Sequence, residues 1–248
     1  MLERSIPWAR ALSTMRFCTL ALAAIALPPT AIAQSPSACG DLANGFGPFD
    51  YRTEHGNSKT LVESAHFTPP VEAAIRGNTT GTAGGDLDYT LRAFPNHHRA
   101  LLTLMKLADR ERSPQPNGMR YSVNCWFDRA VRFRPDDLTV RMLYANFLYK
   151  SSRPQEARQH LAVAEANAGN EAFTRYNLGL VYFDGKDFDK ALTEAQRAMQ
   201  LDFPRTELRD KLKAVGKWVD PPTNAGPSAG TGPSDAARSP GPPGSQAN

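Results

Sequence analysis

Two consecutive stretches of this chain follow one pattern: LTVRMLYANFLYKSSRPQEARQHLAVAEANAGN, which starts at Leu138, and AFTRYNLGLVYFDGKDFDKALTEAQRAMQLDFP, which starts at Ala172. Small residues recur in them at the same phase, and Ala157 and Ala191, for example, lie 34 positions apart. A fixed period of this length is typical of stacked supersecondary units, so it takes precedence over every other sequence signal.

Each of the two units has the pattern of a helix hairpin. Apolar residues recur with helical spacing on both sides of a turn-forming stretch, which is 151–154 in the first unit and 184–187 in the second. The small residues allow the two helices of a hairpin to approach closely. An ordinary helical bundle is the alternative, and the in-phase repeat argues against it. The pattern predicts an all-α fold.

The two units resemble the tetratricopeptide repeat (TPR). Unit 138–171 supplies the family's small and large apolar positions with Tyr144, Ala145, Leu148, Ala157, Leu161 and Ala164. Unit 172–205 supplies them with Leu178, Gly179, Tyr182, Ala191, Ala195 and Ala198. The resemblance implies a helix-hairpin array with a concave groove, and it implies an interaction surface without naming a partner.

A more divergent TPR-like unit is predicted at 97–137. Its first helix would cover 97–110, an insertion at 113–118 would lengthen the turn, and its second helix is marked by Val123, Phe127, Ala130 and Pro135. A stacked array also needs a terminal helix with a polar outer surface. Residues 206–219 fit that capping helix, so we expect about three repeats and a cap.

Residues 34–96 do not follow the repeat and are predicted to form a small irregular N-terminal module. In GDLDYTLRAFPNHHRAL, residues 85–101, the apolar Leu87, Tyr89 and Leu91 alternate with polar neighbours, which favours a short extended strand. With GPFDYR at 47–52 and HFTPPVE at 66–72, this stretch resembles a group of exported proteobacterial TPR proteins. That resemblance implies a fold and a compartment, and no activity.

The first 33 residues have the pattern of a secretory signal peptide. Basic residues precede the apolar run FCTLALAAIAL at 17–27, and Ala31-Ile32-Ala33 forms a small-residue cleavage site before Gln34. The run is too short for a transmembrane helix, which needs about 20 apolar residues. A start at Met15 would leave a shorter signal. The mature protein is therefore expected to be periplasmic or secreted.

The other end, residues 220–248, is predicted to be a disordered tail. From residue 221 onward it contains no aromatic residue and no Leu, Ile or Val, so it cannot bury enough apolar surface to offset the entropy of ordering. The whole chain of 248 residues has a net charge of +4. Because no block of Lys or Arg accompanies that charge, a dedicated nucleic-acid binder is not expected.

Two of the three cysteines, Cys39 and Cys125, would remain after removal of the signal peptide. In an oxidising compartment such a pair is a candidate disulfide, and two buried free thiols are the alternative. We expect the bond between Cys39 and Cys125.

The TPR resemblance implies a groove lined by the first helix of each unit. The mapped positions are Arg99, Leu102, Lys106, Asp109 and Arg110; Thr139, Met142, Asn146, Tyr149 and Lys150; and Phe173, Tyr176, Asn177, Leu180, Phe183 and Asp184. The basic residues favour an acidic peptide, and the aromatic residues favour apolar anchors. Alternatively, residues 34–96 fold into the groove and cover the aromatic side chains.

Some TPR proteins hold a peptide's C-terminal carboxylate with lysines and asparagines. Here Asn146 and Asn177 match the two amides, whereas Met142 replaces a lysine and Glu207 stands where a further basic residue is expected. The basic half of such a clamp is therefore missing.

His66, His97 and His98, with nearby carboxylates, are residue types that could bind a metal. The adjacent His97 and His98 diverge on a helix, however, and the spacing fits no ligand signature, so capping and packing is the favoured interpretation. The chain has no G-x-S-x-G, P-loop or H-E-x-x-H motif. We therefore expect a non-catalytic scaffold without a cofactor. The alternatives are a structural component whose groove is filled by 34–96, and a metal-dependent activity at the three histidines.

Overall fold

The computed structural model describes residues 38–221, which form ten helices and no strand. The helices are α1 Asn57–His66, α2 Pro69–Glu72, α3 Ala83–Ala93, α4 His98–Glu111, α5 Val123–Phe133, α6 Leu138–Lys150, α7 Pro154–Asn167, α8 Ala172–Asp184, α9 Phe188–Gln200 and α10 Glu207–Ala214. The predicted all-α fold class is confirmed. The predicted signal peptide lies outside the described residues, and so does the predicted tail beyond residue 221.

Helices α6 to α9 form two hairpins, in which α6 packs against α7 and α8 packs against α9. The first helices also contact one another in order, α4 with α6, α6 with α8, and α8 with α10. The small residues that set the 34-residue period lie at these contacts, and Ala145, Ala157 and Ala191 are completely buried. This part of the chain is therefore a helical repeat-like array, as the spacing predicts.

The predicted hairpin at 97–137 is present as α4 and α5, separated by a loop that includes residues 113–118. Ser122 caps α5, since its hydroxyl accepts from the backbone N–H of Cys125 at 3.3 Å. The apolar residues that marked this helix in the sequence, Val123, Phe127 and Ala130, are all completely buried.

The extended strand predicted from Leu87, Tyr89 and Leu91 is wrong, because these residues lie in α3. Leu87 and Leu91, one helical turn apart, are completely buried. The alternation arose from Asp86 and Asp88, which are buried as well instead of facing solvent. Each has hydrogen-bond donors that compensate for its burial, so a polar residue in this stretch does not mark an exposed face.

The N-terminal module is also more regular than predicted, since it contains α1, α2 and α3. Helix α1 packs against α3, and α3 packs against α4. In α3 the buried residues and the following proline are spaced as in α5, the two sets being Ala83, Leu87, Thr90 and Pro95, and Val123, Phe127, Ala130 and Pro135. The helical pattern therefore extends upstream of residue 97.

The first described residues are attached to α5. Cys39 and Cys125 form a disulfide, which confirms the predicted pairing. Beside it, the buried guanidinium of Arg129 donates to the backbone carbonyl oxygens of Cys39 at 3.0 Å and of Asp41 at 2.5 Å. Arg132 donates to the carbonyl oxygen of Gly40 at 3.1 Å. The segment is thus held by one covalent bond and by three charge-assisted hydrogen bonds from two arginines.

Helix α10 closes the other end of the array within the predicted region 206–219. Leu208 and Leu212 are completely buried, and most of its remaining residues are polar. Gly179 of α8 permits this contact, because a Cβ atom there would lie 2.4 Å from a methyl carbon of Leu208. None of the helices in 38–221 is both long and apolar enough to span a bilayer.

Candidate functional site

A cavity of about 350 Å³ opens where the first helices α4, α6 and α8 lie side by side. Its walls are Leu102, Thr139, Met142, Leu143, Asn146, Phe173, Asn177, Leu180 and Val181. Seven of the residues predicted to line the groove are among them, namely Leu102, Thr139, Met142, Asn146, Phe173, Asn177 and Leu180. We call this cavity, with its nine lining residues, the groove pocket.

Two lining residues, Leu143 and Val181, were missed by the sequence mapping. Leu143 follows Thr139 by one helical turn, and Val181 follows Asn177 by one turn. Each therefore shares a helix face with a residue that was mapped. The helix face towards the groove is therefore wider than the positions implied by the TPR resemblance. Extending each mapped position by one helical turn, from i to i+4, would have included Leu143 and Val181.

The walls of the groove pocket are mainly apolar, and two of their side chains are exposed. Leu102 is 40% exposed and Phe173 is 55% exposed, although both belong to large apolar types. Met142 is buried, while Leu180 and Val181 are half-buried. Exposed apolar side chains grouped around a concavity are typical of a binding surface.

Two amides provide the polar groups of the groove pocket. The Asn146 side chain donates to a carboxylate oxygen of Asp184 at 3.2 Å, and the Asn177 side chain donates to the carbonyl oxygen of Phe173 at 2.7 Å. Within 38–221, the side-chain oxygens of both asparagines have no hydrogen-bond partner. Each amide therefore retains an acceptor for a donor on a bound molecule.

The four basic residues predicted to line the groove are not equivalent. Arg99 is engaged by Glu72 of α2, with its Nε 2.8 Å from a carboxylate oxygen, and its guanidinium lies 5.2 Å from the ring centre of Phe67. This hydrogen bond lowers the pKa of Glu72. Lys150 lies 3.6 Å from Asp109. None of the four lines the groove pocket itself.

Lys106 and Arg110 differ from the other two, because both are exposed and neither forms an ion pair with any residue of the described range. They follow Leu102 by one and two helical turns on α4, so the three side chains share one face. The cations beside the groove pocket that lack an ion pair within 38–221 are therefore on the second half of α4, and the charge of Lys106 acts at longer range on Glu72, whose pKa it helps to lower.

The aromatic residues predicted as groove anchors are placed differently. Tyr176 is 3% exposed. Its ring centre lies 4.7 Å from that of Phe203, in the loop between α9 and α10, and Leu208 of α10 lines the same small crevice. Tyr149 packs on the backbone of Gly185 in the following turn. Burial raises the pKa of both phenols.

Phe183 contacts Phe188 across the same turn, at 5.3 Å between ring centres. None of these three rings lines the groove pocket, and their contacts are with residues of neighbouring helices and turns. Phe173 is the one predicted aromatic residue that lies in the wall.

The three histidines considered as metal ligands each contact a different carboxylate. His66 Nδ1 lies 2.8 Å from Asp86, and His98 Nε2 lies 2.9 Å from Asp137. No group of three or more His, Cys, Asp or Glu residues in the described part of the chain is placed to hold a metal ion. A metal at these histidines would require the existing pairs to separate.

His97 caps α4 from a buried position. Its Nδ1 accepts from the backbone N–H of Ala100 at 3.1 Å, so the ring proton lies on Nε2, which donates to Glu63 at 3.1 Å. The ring stacks on Tyr51 at 4.0 Å between centres. Burial lowers the pKa of this histidine, and the hydrogen bond to Glu63 opposes that shift.

A buried polar network beside His97 was not foreseen from the sequence. Asn96, which is completely buried, donates to Asp50 at 2.7 Å and to Asp137 at 2.9 Å, and accepts from the backbone N–H of Tyr51 at 2.9 Å. Arg52 donates to Asp50 and thereby holds the pKa of that carboxyl well below its usual range. The GPFDYR and FPNHH motifs therefore join the N-terminal module to the starts of α4 and α6.

Comparisons with known proteins give no relative for this chain. No protein-family model matches it, and no curated protein or solved structure is similar enough to match. The chemistry of the groove pocket is therefore argued from the chain's own residues.

Proposed function

We propose that this protein is an exported, non-catalytic scaffold of the TPR type that binds a segment of a protein partner in the groove pocket. The observation that carries the proposal is the cavity itself, about 350 Å³ in volume, with Leu102 and Phe173 exposed at its edge. Ligand pockets have volumes of about 300–1,000 Å³, and buried apolar anchors dominate the affinity of protein interfaces.

The assignment to the TPR type is supported by the 34-residue period and by the burial of the small residues at that period. Ala145 and Gly179 are equivalent in the two first helices, and both are buried where another helix approaches. Arrays of stacked helix hairpins present extended concave surfaces to their partners. The groove pocket lies on three first helices, where such a surface is expected.

Export is supported by the signal-peptide pattern of residues 1–33 and by the Cys39–Cys125 disulfide. Disulfides persist mainly in oxidising compartments such as the periplasm. The two cysteines that form the bond are those that would remain after cleavage before Gln34. We therefore place the partner in the cell envelope or outside the cell.

The competing arrangement, in which residues 34–96 fill the groove, has less support. Helices α2 and α3 pack against α4, and Glu72 reaches Arg99, yet the walls of the groove pocket come from α4, α6 and α8. The described part of the N-terminal module thus extends the array and leaves the groove pocket open.

In-cell photo-crosslinking tests the proposal. A photoreactive phenylalanine analogue is placed at Leu102 or at Phe173, and the matched control position is Val163 on α7, which is 38% exposed and does not line the groove pocket. We expect both groove positions to form adducts with the same partner, identified by mass spectrometry, and Val163 to form none with it. Equal yields of that adduct at all three positions would overturn the proposal.

A further inference from the structure

The charges around the groove pocket are arranged unevenly. On α4, the cation nearest the N-terminal module, Arg99, is neutralised by Glu72, whereas Lys106 and Arg110 have no ion pair within residues 38–221. On α6, Lys150 lies 3.6 Å from Asp109. The side of the groove formed by the second half of α4 therefore has two cations available to a ligand.

The opposite side of the groove pocket is formed by α8, and no Lys or Arg of that helix lines the pocket. Its lining residues on α8 are Phe173, Asn177, Leu180 and Val181, and the carboxylate of Asp184 at the end of that helix accepts from Asn146. An acidic ligand residue is consequently favoured over α4 and disfavoured over Asp184. The two sides thus give a bound segment a preferred orientation.

The centre of the groove pocket does not suit a chain terminus. Met142 and Leu180 bring apolar surface to it, and its polar groups are the two neutral amides. A terminal carboxylate buried there would lose water without gaining a counter-charge, which is costly. The free amide oxygens of Asn146 and Asn177 are instead suited to the backbone N–H groups of a segment that continues in both directions.

From this geometry we propose that the groove pocket takes an internal, acidic segment of a partner protein, with one large apolar side chain in the cavity and Asp or Glu residues over Lys106 and Arg110. This inference rests on the proposed function and adds the chemistry and the orientation of the ligand. The contacts are an apolar anchor, backbone hydrogen bonds and two surface ion pairs.

Selection from random peptides tests the inference without a known partner. The probe is a phage library in which the random segment lies between two fixed flanks, so that no peptide has a free C-terminus, and a second library displays free C-termini. Both are selected on the purified mature chain. We expect the internal library to yield sequences with one large apolar residue flanked by Asp or Glu.

Two test variants of the chain, each with its own control variant, assign the selected binding to the apolar edge and to the cations. Leu102→Glu with Phe173→Glu removes the apolar edge, with Val163→Glu as its control. Lys106→Glu with Arg110→Glu reverses the two free cations. Its control is Arg158→Glu with Lys213→Glu, which changes the net charge equally at two exposed residues outside the groove pocket. Thermal unfolding of each variant checks that it is folded.

For a synthetic peptide of the selected sequence, we expect reversal at 106 and 110 to weaken binding at least about tenfold, and the control reversal to weaken it less than about threefold. If selection on the wild-type chain enriches no peptides beyond those enriched on Leu102→Glu with Phe173→Glu, the proposed function is overturned. Enrichment that depends on that edge, but shows no acidic preference or the same preference after charge reversal, would overturn only this inference. Selection of free C-termini alone would overturn it as well.

Discussion

Asn96 and Asp137, 41 positions apart in the sequence, meet in the interior, where the Asn96 side chain donates to Asp137 at 2.9 Å. Asp137 also caps α6 by accepting from the backbone N–H of Val140 at 3.1 Å, and Asn96 directly precedes the cap of α4. One amide therefore links the starts of two successive first helices. Since α4 and α6 form two walls of the groove pocket, this contact fixes part of its shape.

Asn96→Ala is expected to lower the free energy of unfolding by about 2–4 kcal/mol, because it removes donors from two buried carboxylates and the acceptor of the Tyr51 N–H. Urea unfolding followed by circular dichroism measures the change. Asn167→Ala, an exposed asparagine with one bond to its own helix, is the control and should cost less than about 1 kcal/mol. Equal effects would contradict the role assigned to Asn96.

Loss of the disulfide is expected to lower the free energy of unfolding by about 4 kcal/mol, since the bond joins residues 86 positions apart and restricts the unfolded chain. Urea unfolding with and without a reductant measures this. Cys39→Ser with Cys125→Ser should be as unstable as the reduced protein and insensitive to reductant. Two thiols titratable in the native, unreduced protein would show that the bond is absent.

Stability is expected to decrease as the pH falls below about 6.5. Burial lowers the pKa of His97 and of His160 below the ordinary value of 6.5, so the unfolded chain takes up protons first. Their contribution is complete above pH 6.5 and is lost as the pH falls towards the folded-state pKa.

The dependence of stability on pH is measured from the urea midpoints of unfolding between about pH 7.5 and 5. His97→Asn should make this dependence weaker, and the exposed control His55→Asn should leave it unchanged. An unchanged slope in His97→Asn would show that His97 does not contribute to it.

Gly179→Ala is expected to have opposite effects in two backgrounds. In the wild type the added methyl group meets Leu208 at 2.4 Å, so we expect destabilisation by about 0.5–2 kcal/mol. In Leu208→Ala the obstacle is gone, and the better helix former should stabilise by up to about 1 kcal/mol. The four proteins form a double-mutant cycle in thermal unfolding. Additive effects would show that α8 and α10 do not meet at this pair.

The protein isolated from the cell envelope is expected to begin at Gln34, because the small residues before it form the cleavage site. Intact-mass spectrometry under non-reducing conditions tests this together with the disulfide, whose formation lowers the mass by two hydrogen atoms. A chain that keeps residues 1–33 and is recovered only from the cytoplasm would contradict export.

The repeat-like array could be predicted from the sequence because its signal is local and periodic. Ala157 and Ala191 are buried as their spacing requires. Helix α3 was misread because an alternating pattern assumes that Asp86 and Asp88 face solvent, whereas their hydrogen-bond donors come from distant residues such as His66 and Arg120. A sequence pattern does not contain those partners.

The groove was predicted in part for the same reason. Residues such as Asn146 and Leu180 are placed by helical periodicity alone. The burial of Tyr176 depends partly on Leu208 of α10, which lines the same small crevice, and the availability of the Arg99 charge depends on Glu72 of α2. Both partners come from elements outside the two clear repeat units. The TPR assignment, the signal peptide and the tail stay predictions.

The Arg99–Glu72 pair shows that the charge beside the groove pocket depends on a residue that is not part of its wall. Glu72 lies on α2, outside the three helices that form the groove pocket, yet with Glu63 of α1 it engages the guanidinium of Arg99 on α4. A single neutral replacement of Glu72 would therefore make the charge beside the groove pocket more positive without changing any residue of the wall. If the groove pocket binds a charged segment as proposed, its preference is expected to depend also on this four-residue helix outside the groove.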